Sequence, residues 1–142
     1  MQSKLIEKLR AFILIHNPEL AAKLHEDYSM NQYLEDKVMA VMPLLEQLHA
    51  AGSPQYSIEE LCLNAMTQDL RPSRYQYIRE VMETEFPEEY RQLSNKGVLT
   101  FETIQILELC HSVFEIYGFS EETKDSRFLR YAVIVVLHQH FN

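Results

Sequence analysis

The sequence is poor in residues that interrupt regular structure, and it has no long apolar run. It contains three glycines, five prolines and no tryptophan among its 142 residues. So few chain breakers favour long regular elements over many short strands joined by tight turns. The apolar stretches Ala11–Ile15 and Tyr131–Leu137 are far shorter than a membrane span and lack the marks of a signal peptide. We therefore expect a soluble, cytoplasmic protein without membrane contacts.

Cysteine is also scarce, and the histidines follow no metal-binding pattern. Cys62 and Cys110 belong to no C-x-x-C pair, and each lies among apolar residues, which predicts two buried, reduced thiols. His138 and His140 are two positions apart and cannot converge on one ion from a helix. The sequence contains no nucleophile elbow and no glycine-rich phosphate loop. We therefore predict no enzyme activity, no catalytic residues, no metal site and no cofactor.

What the chain does contain predicts helices throughout. Apolar residues recur at helical spacing between caps and prolines, so we predict one compact all-α domain over residues 1–142 with six to seven helices. The longer helices are expected at Lys4–His16, Met30–Ala51, Ser57–Leu70, Arg74–Phe86, Thr100–Tyr117, and Asp125 or Ser126 to His140. Shorter helical pieces are expected at Pro18–Leu24 and over a turn or two after Pro87.

Details of the pattern predict caps, a break and buried helices. Ser57 and Ser73 are expected to cap the helices that follow them, and Pro43 to kink or split its helix. Thr100–Tyr117 is apolar nearly all round, which predicts burial. Tyr131–Leu137 is rich in β-branched residues, but no second strand exists to pair with it, so we expect a central helix. The residue pattern shows no internal repeat.

One local feature stands out in a chain whose formal net charge is −8. Three arginines and a glutamine, namely Arg71, Arg74, Gln76 and Arg79, cluster where a helix is expected to begin. Backbone donors at such an end make it a candidate anion-binding or DNA-binding site. Ser57–Leu61 followed by Pro72–Arg74 resembles the two helices of an arabinose-regulator-type DNA-binding unit, although the intervening stretch is too long and lacks a glycine. The competing interpretation is that the arginines pair with nearby acids, namely Glu59, Glu60, Asp69 or Glu83.

Several stretches, taken in order, resemble a known family. They are His16–Ala21, Leu70–Tyr75, Glu83–Phe86 and Glu108–Tyr117 followed by Phe119-Ser120. This order is similar to the domain-of-unknown-function family DUF1896, whose members are short helical proteins of Bacteroidetes, often encoded near mobile elements. The resemblance runs from Leu9 to Leu137 and implies an all-α fold. It implies no activity and transfers no functional residues.

Two functional hypotheses remain open from the sequence. The first is a non-enzymatic helical module that binds itself or another protein through an apolar surface. Its support is the set of apolar helices with methionines spread among them, because methionine suits adaptable surfaces. The methionines are Met30, Met39, Met42, Met66 and Met82. The alternative is a small DNA-binding accessory protein that uses the arginine cluster, which the acidic net charge disfavours.

Overall fold

The computed structural model describes residues 1–142 and contains helices but no strand, so the predicted all-α class is confirmed. None of the helices combines the length and the apolarity needed to cross a membrane. The nine α-helices are α1 Gln2–His16, α2 Pro18–Glu26, α3 Met30–Ala50, α4 Gln55–Met66, α5 Arg74–Glu85, α6 Pro87–Asn95, α7 Leu99–Leu109, α8 His111–Tyr117 and α9 Arg127–Phe141, with one 3₁₀ turn at Gln68–Leu70.

The chain divides into two compact units, Met1–Arg71 and Pro72–Asn142. Each unit has its own hydrophobic core. That residues 1–142 act as one domain stays a prediction.

The core of the first unit is built on α1. Leu5, Leu9 and Ile13 recur at every fourth position, are fully buried, and form one stripe along that helix. The stripe belongs to a cluster with Leu34, Val38 and Val41 of α3 and Ile58, Cys62 and Met66 of α4. Burial of these side chains is the main favourable term in the stability of the unit.

The core of the second unit joins α5 to the helices that follow it. Its fully buried side chains come from α5, α7, α8 and α9, with Cys110 between α7 and α8. They are Ile78, Val81, Met82, Ile106, Cys110, Phe114, Leu129, Val133 and Leu137, and Leu99 is nearly buried. Cys62 and Cys110 are both buried free thiols, as predicted. Burial raises the pKa of Cys110 to about 11.

The two units repeat one helical arrangement. In the first unit α1 contacts α2, α3 and α4, and α3 contacts both α2 and α4. In the second unit α5 contacts α6, α7 and α9, and α7 contacts both α6 and α9. The helix pair α7–α8 therefore corresponds to α3, and α9 corresponds to α4.

The repeat extends to backbone detail. Asn17 (φ −138°, ψ 55°) and Phe86 (φ −133°, ψ 58°) each end a helix immediately before a proline that begins the next one. Ser29 N–H donates to Leu24 O at 2.9 Å, and Val98 N–H donates to Leu93 O at 3.1 Å. Helices α2 and α6 therefore end in the same Schellman-type turn. The prolines and the leucine acceptors are the same residue types in both units, whereas Asn17 differs from Phe86 and Ser29 from Val98. Matches this sparse do not stand out as a repeat in the residue pattern.

The predicted count of six to seven helices is too low. The short segments that begin at Pro18 and Pro87 are full helices of nine residues each. The predicted Thr100–Tyr117 helix is broken at Cys110, whose backbone (φ −89°, ψ 0°) ends α7 and precedes α8. No proline or glycine marks this break, so the sequence offered no signal for it.

Two local expectations also need correction. Helix α4 begins at Gln55 with Pro54 as its N-cap, so Ser57 lies within the first turn and does not cap the helix. Helix α3 continues through Pro43, so a split there is excluded, while the alternative of a kink stays a prediction. Proline removes one backbone donor, whose acceptor would be the carbonyl of Met39. Met39 is 62% exposed, so the missing hydrogen bond lies on the outward side of the helix.

Neither α7–α8 nor α9 is buried all round, contrary to expectation. On α7 and α8, Phe101 is 61%, Leu109 54% and Ile116 77% exposed. On α9, Tyr131 and Val135 are 60% and 55% exposed. An apolar composition therefore does not place a helix at the centre of this fold, because each of these helices buries only one stripe.

Candidate functional site

The arginine cluster lies where a helix begins, as predicted. Ser73 caps α5, and its Oγ accepts a hydrogen bond from Gln76 N–H at 3.0 Å. Arg74, Gln76 and Arg79 lie on this helix in the second unit. Arg71 is the last residue of the first unit.

Arg71 closes the helix that precedes it. Its Nη2 donates to Asn64 O at 2.9 Å and its Nε to Thr67 O at 3.4 Å. These carbonyls lie at the C-terminal end of α4, where the last carbonyls lack helical partners. The guanidinium therefore stabilises a helix end.

Arg74 and Arg79 are held by different partners within the second unit. Arg74 lies 3.5 Å from Glu115 Oε1, and its guanidinium lies 5.0 Å from the centre of the Phe114 ring. Arg79 Nε donates to Tyr90 Oη at 3.3 Å, and this hydrogen bond raises the pKa of the guanidinium. The acid that pairs with an arginine of this cluster is Glu115, which contacts Arg74. It is not among the acids proposed from the sequence, and Arg71 and Arg79 bond instead to carbonyls and to a tyrosine.

The second unit also contains a cleft of about 480 Å³, within the range of small-molecule sites. Its walls come from one face of α5, from the start of α9, and from the connection at residues 118–126. The lining residues are Pro72, Ser73, Gln76, Tyr77, Glu80, Phe119, Lys124, Asp125, Ser126 and Arg130. Of the four residues predicted from the sequence, Gln76 is the one that lines it.

Tyr77 contributes an aromatic wall of this cleft. Its ring meets Phe119 edge-on with centroids 5.1 Å apart and Phe114 with centroids 6.0 Å apart. The Tyr77 hydroxyl is buried and forms no hydrogen bond with any protein group. Burial raises the pKa of this hydroxyl, and the charge of Arg130 opposes the rise. An unsatisfied buried hydroxyl is costly, on the order of 1–3 kcal/mol, and marks a place where a further polar partner would be favourable.

The charged side chains of the cleft are unequally paired. Arg130 Nη1 donates to Glu80 Oε2 at 2.9 Å, and its Nη2 lies 3.3 Å from Glu85 Oε1. The hydrogen bond from Arg130 holds the pKa of Glu80 below its usual value. Lys124 Nζ lies 2.8 Å from Glu121 Oε2. Asp125 is exposed and takes part in no ion pair or hydrogen bond.

A second, more open cleft of about 520 Å³ lies in the first unit, on the helices that correspond to α5 and α9. It is lined by Ser3, Lys4, Glu7, Lys8 and Glu59, and no aromatic ring forms part of its wall. Glu59 Oε1 lies 3.5 Å from Lys4 Nζ, and its Oε2 lies 3.6 Å from Lys8 Nζ. Burial raises the pKa of Glu59, but the hydrogen bond from Gln55 and the two lysines outweigh it and bring the pKa below its usual value.

The outward side of α9 is apolar, like the inward side. Phe128 is 63%, Tyr131 60% and Val135 55% exposed, and they follow a spacing of three and four residues along one face. Arg127 at the start of the helix is exposed, with its guanidinium 5.5 Å from the centre of the Phe128 ring. Helix α9 carries no aspartate or glutamate, unlike every other helix of this acidic chain. We call Arg127, Phe128, Tyr131 and Val135 the α9 face.

The cleft and the α9 face of the second unit were not predicted from the sequence. The cleft depends on the cap Ser73 and on α5 side chains at positions 76, 77 and 80, which continue one helix face, and that spacing was visible. What was not visible is that residues 118–126 would cover this face.

Comparison with known proteins identifies the family. Residues 7–134 match the family described as "Domain of unknown function (DUF1896)". The chain belongs to this family. The suspected resemblance is thereby confirmed over nearly the whole chain. No curated protein and no solved structure matches it. The family assigns no activity, so function has to be argued from the residues themselves.

Proposed function

We propose that this DUF1896 member is a non-enzymatic protein-interaction module that binds its partner through the α9 face. The observation that supports this is the exposure of three large apolar side chains on one helix face, each more than half exposed. Aromatic residues and arginine dominate the energetics of protein interfaces, and the α9 face combines both. Exposed apolar side chains that share a face favour association more than isolated ones do.

The local charge of the α9 face favours an acidic partner, and this short-range attraction has to exceed the long-range repulsion from the net charge of −8. Arg127 is the charged residue of the α9 face, and no acid lies anywhere on the helix. A partner helix with apolar residues at helical spacing and flanking carboxylates would bury the stripe and complement the arginine. We therefore propose an acidic amphipathic helix of another protein as the occupant.

The remaining parts of the proposal concern location and the alternative function. We place the protein in the cytoplasm, because buried free thiols such as Cys62 and Cys110 fit a reducing compartment. DNA binding stays the less favoured hypothesis. Arg71, Arg74 and Arg79 each have a partner within their own unit, so phosphate contacts would compete with existing interactions.

The test uses two fluorescein-labelled helical peptides with the same apolar spacing, one flanked by glutamates and one by lysines. We expect the glutamate peptide to bind with a dissociation constant of about 1–50 µM in fluorescence polarisation, and the lysine peptide to bind at least about tenfold more weakly. The double variant Phe128→Ser/Val135→Ser should bind the glutamate peptide about tenfold more weakly, or weaker still.

The matched control is Met39→Ser, which removes a side chain that is 62% exposed on α3 of the first unit and should leave binding unchanged. Sedimentation velocity is run alongside. If the parent is a dimer and the double variant a monomer, the α9 face binds a second copy of the chain, and the proposed acidic partner is wrong. Absence of both peptide binding and self-association at about 100 µM would overturn the proposal.

A further inference from the structure

The cleft of the second unit is built from residues that the first unit does not have. In the first unit, residues 51–54 connect the third helix to the last, whereas residues 118–126 make the corresponding connection in the second unit. The longer connection supplies Phe119, Lys124 and Asp125 to the cleft wall. This longer connection and the break between α7 and α8 are what distinguish the second unit from the first.

The groups already paired in the cleft limit what it can bind. Both lining cations are engaged, since Arg130 contacts Glu80 and Glu85, and Lys124 contacts Glu121. An anionic ligand would have to compete with these carboxylates, and the net charge of −8 opposes its approach. A carboxylate or phosphate is therefore a poor match for the cleft.

The groups that are not paired define the complementary ligand. They are the carboxylate of Asp125 and the aromatic surface of Tyr77 beside Phe119. A protonated amine satisfies both, because it pairs with a carboxylate and is attracted to aromatic rings. An aliphatic body on the amine would contact the rings.

We propose that this cleft binds a small organic cation, namely a protonated primary amine carried on a short aliphatic chain. Asp125 neutralises its charge, and the rings of Phe119 and Tyr77 contact the aliphatic carbons. This binding site is independent of the α9 face, since none of its lining residues belongs to that face.

The experiment titrates the full chain with n-butylammonium, 1-butanol and butyrate at constant ionic strength, following backbone amide signals by NMR. We expect the amine alone to saturate, with a dissociation constant on the order of 1 mM and with shifts concentrated at residues 72–80 and 118–130. Equal shifts from all three probes would overturn the proposal. So would shifts from the amine that spread over acids of both units, because this is the result expected of non-specific attraction to an acidic chain.

Two variants and a control test the assigned groups. Asp125→Asn should weaken amine binding about fivefold, and Phe119→Ala, which removes a ring from the cleft wall, should also weaken it. Glu108→Gln removes the same unit of charge from an exposed position of α7 outside the cleft and should leave the affinity unchanged. Unchanged affinity in Asp125→Asn, or an equal loss in Glu108→Gln, would overturn the assignment of the cleft.

Discussion

Tyr28 and Gly97 occupy the same position in the two units and have the same left-handed backbone, with φ of 55° and 73° respectively. Each follows the second helix of its unit, where the chain reverses towards the next helix. Glycine adopts this conformation at little cost, whereas a residue with a Cβ atom is strained there. The first unit therefore carries strain that the second avoids at the same place.

Replacing Tyr28 with glycine should stabilise the first unit. The Tyr28 side chain is 96% exposed, so its removal loses almost no packing. Relief of the left-handed strain outweighs the greater flexibility of glycine in the unfolded chain, and we expect a gain of about 0.5–1 kcal/mol. Urea unfolding of Tyr28→Gly measures this. A loss of stability would show that the tyrosine makes a favourable contribution that the exposed position does not reveal.

The reverse substitution provides the control. A Cβ atom at Gly97 would meet no heavy atom within 4 Å, so Gly97→Ala tests backbone strain without a steric clash. We expect it to destabilise the protein by about 1 kcal/mol.

Two valines on α9 should respond very differently to the same substitution, one with a large loss of stability and the other with almost none. Val133 is fully buried and Val135 is 55% exposed, although both lie in a continuous β-branched run. Val133→Asp places an unpaired carboxylate in the core at a cost of several kcal/mol, which is comparable to the total stability of a domain. Val135→Asp should change the melting temperature by only a few degrees. Thermal unfolding followed by circular dichroism checks both, and similar melting of the two variants would contradict the orientation of α9.

The same helix shows what could be predicted from the sequence. Its start was predicted at Asp125 or Ser126, and the cap is Ser126, whose Oγ accepts from Leu129 N–H at 3.4 Å. A serine before a helical run is a strong local signal. The cap at Ser73 was predicted for the same reason. Which side of α9 faces outward was not predictable, because apolar residues cover both sides and hydrophobic spacing alone could not distinguish them.

The candidate sites could be predicted even less well than the helix ends from local sequence signals. The start of α5 could be placed from Ser73, but the partners of its arginines, Glu115 and Tyr90, come from distant positions in the chain. The cleft likewise requires Tyr77 to meet Phe119 across the core of the unit. Tertiary contacts of this kind leave no periodic pattern in one sequence.

Glu59 should make the protein sensitive to acid. Its pKa is lower in the folded chain than in an unfolded one, because the hydrogen bond from Gln55 and the charges of Lys4 and Lys8 outweigh the opposing effect of burial. A group with a depressed folded pKa stabilises the fold above its unfolded pKa, and this contribution is lost as the pH falls through the folded pKa. We therefore expect the stability advantage of the parent over Glu59→Gln to shrink between about pH 5 and about pH 3.

Urea midpoints of the parent and Glu59→Gln, measured at each pH, give this difference directly. Glu108→Gln serves as the comparison, because Glu108 is exposed and forms no ion pair. Its difference from the parent should stay nearly constant over the same range. A constant difference for Glu59→Gln as well would mean that the contacts with Lys4 and Lys8 do not persist in solution.

The last prediction concerns the arginines of α5, which decide between the two functional classes. Arg74 is engaged by Glu115 and Phe114, and Arg79 by Tyr90, so neither guanidinium is free for a phosphate without losing a partner. The net charge of −8 adds long-range repulsion of a polyanion. We therefore expect no DNA binding in a polarisation assay at about 50 mM salt, a condition that favours phosphate contacts. Arg74→Ala/Arg79→Ala should instead lower stability modestly, by about 1 kcal/mol, through lost contacts within the unit. Submicromolar binding that weakens steeply with salt and disappears in this double variant would reverse the order of the two hypotheses, because counterion release follows the number of phosphates neutralised.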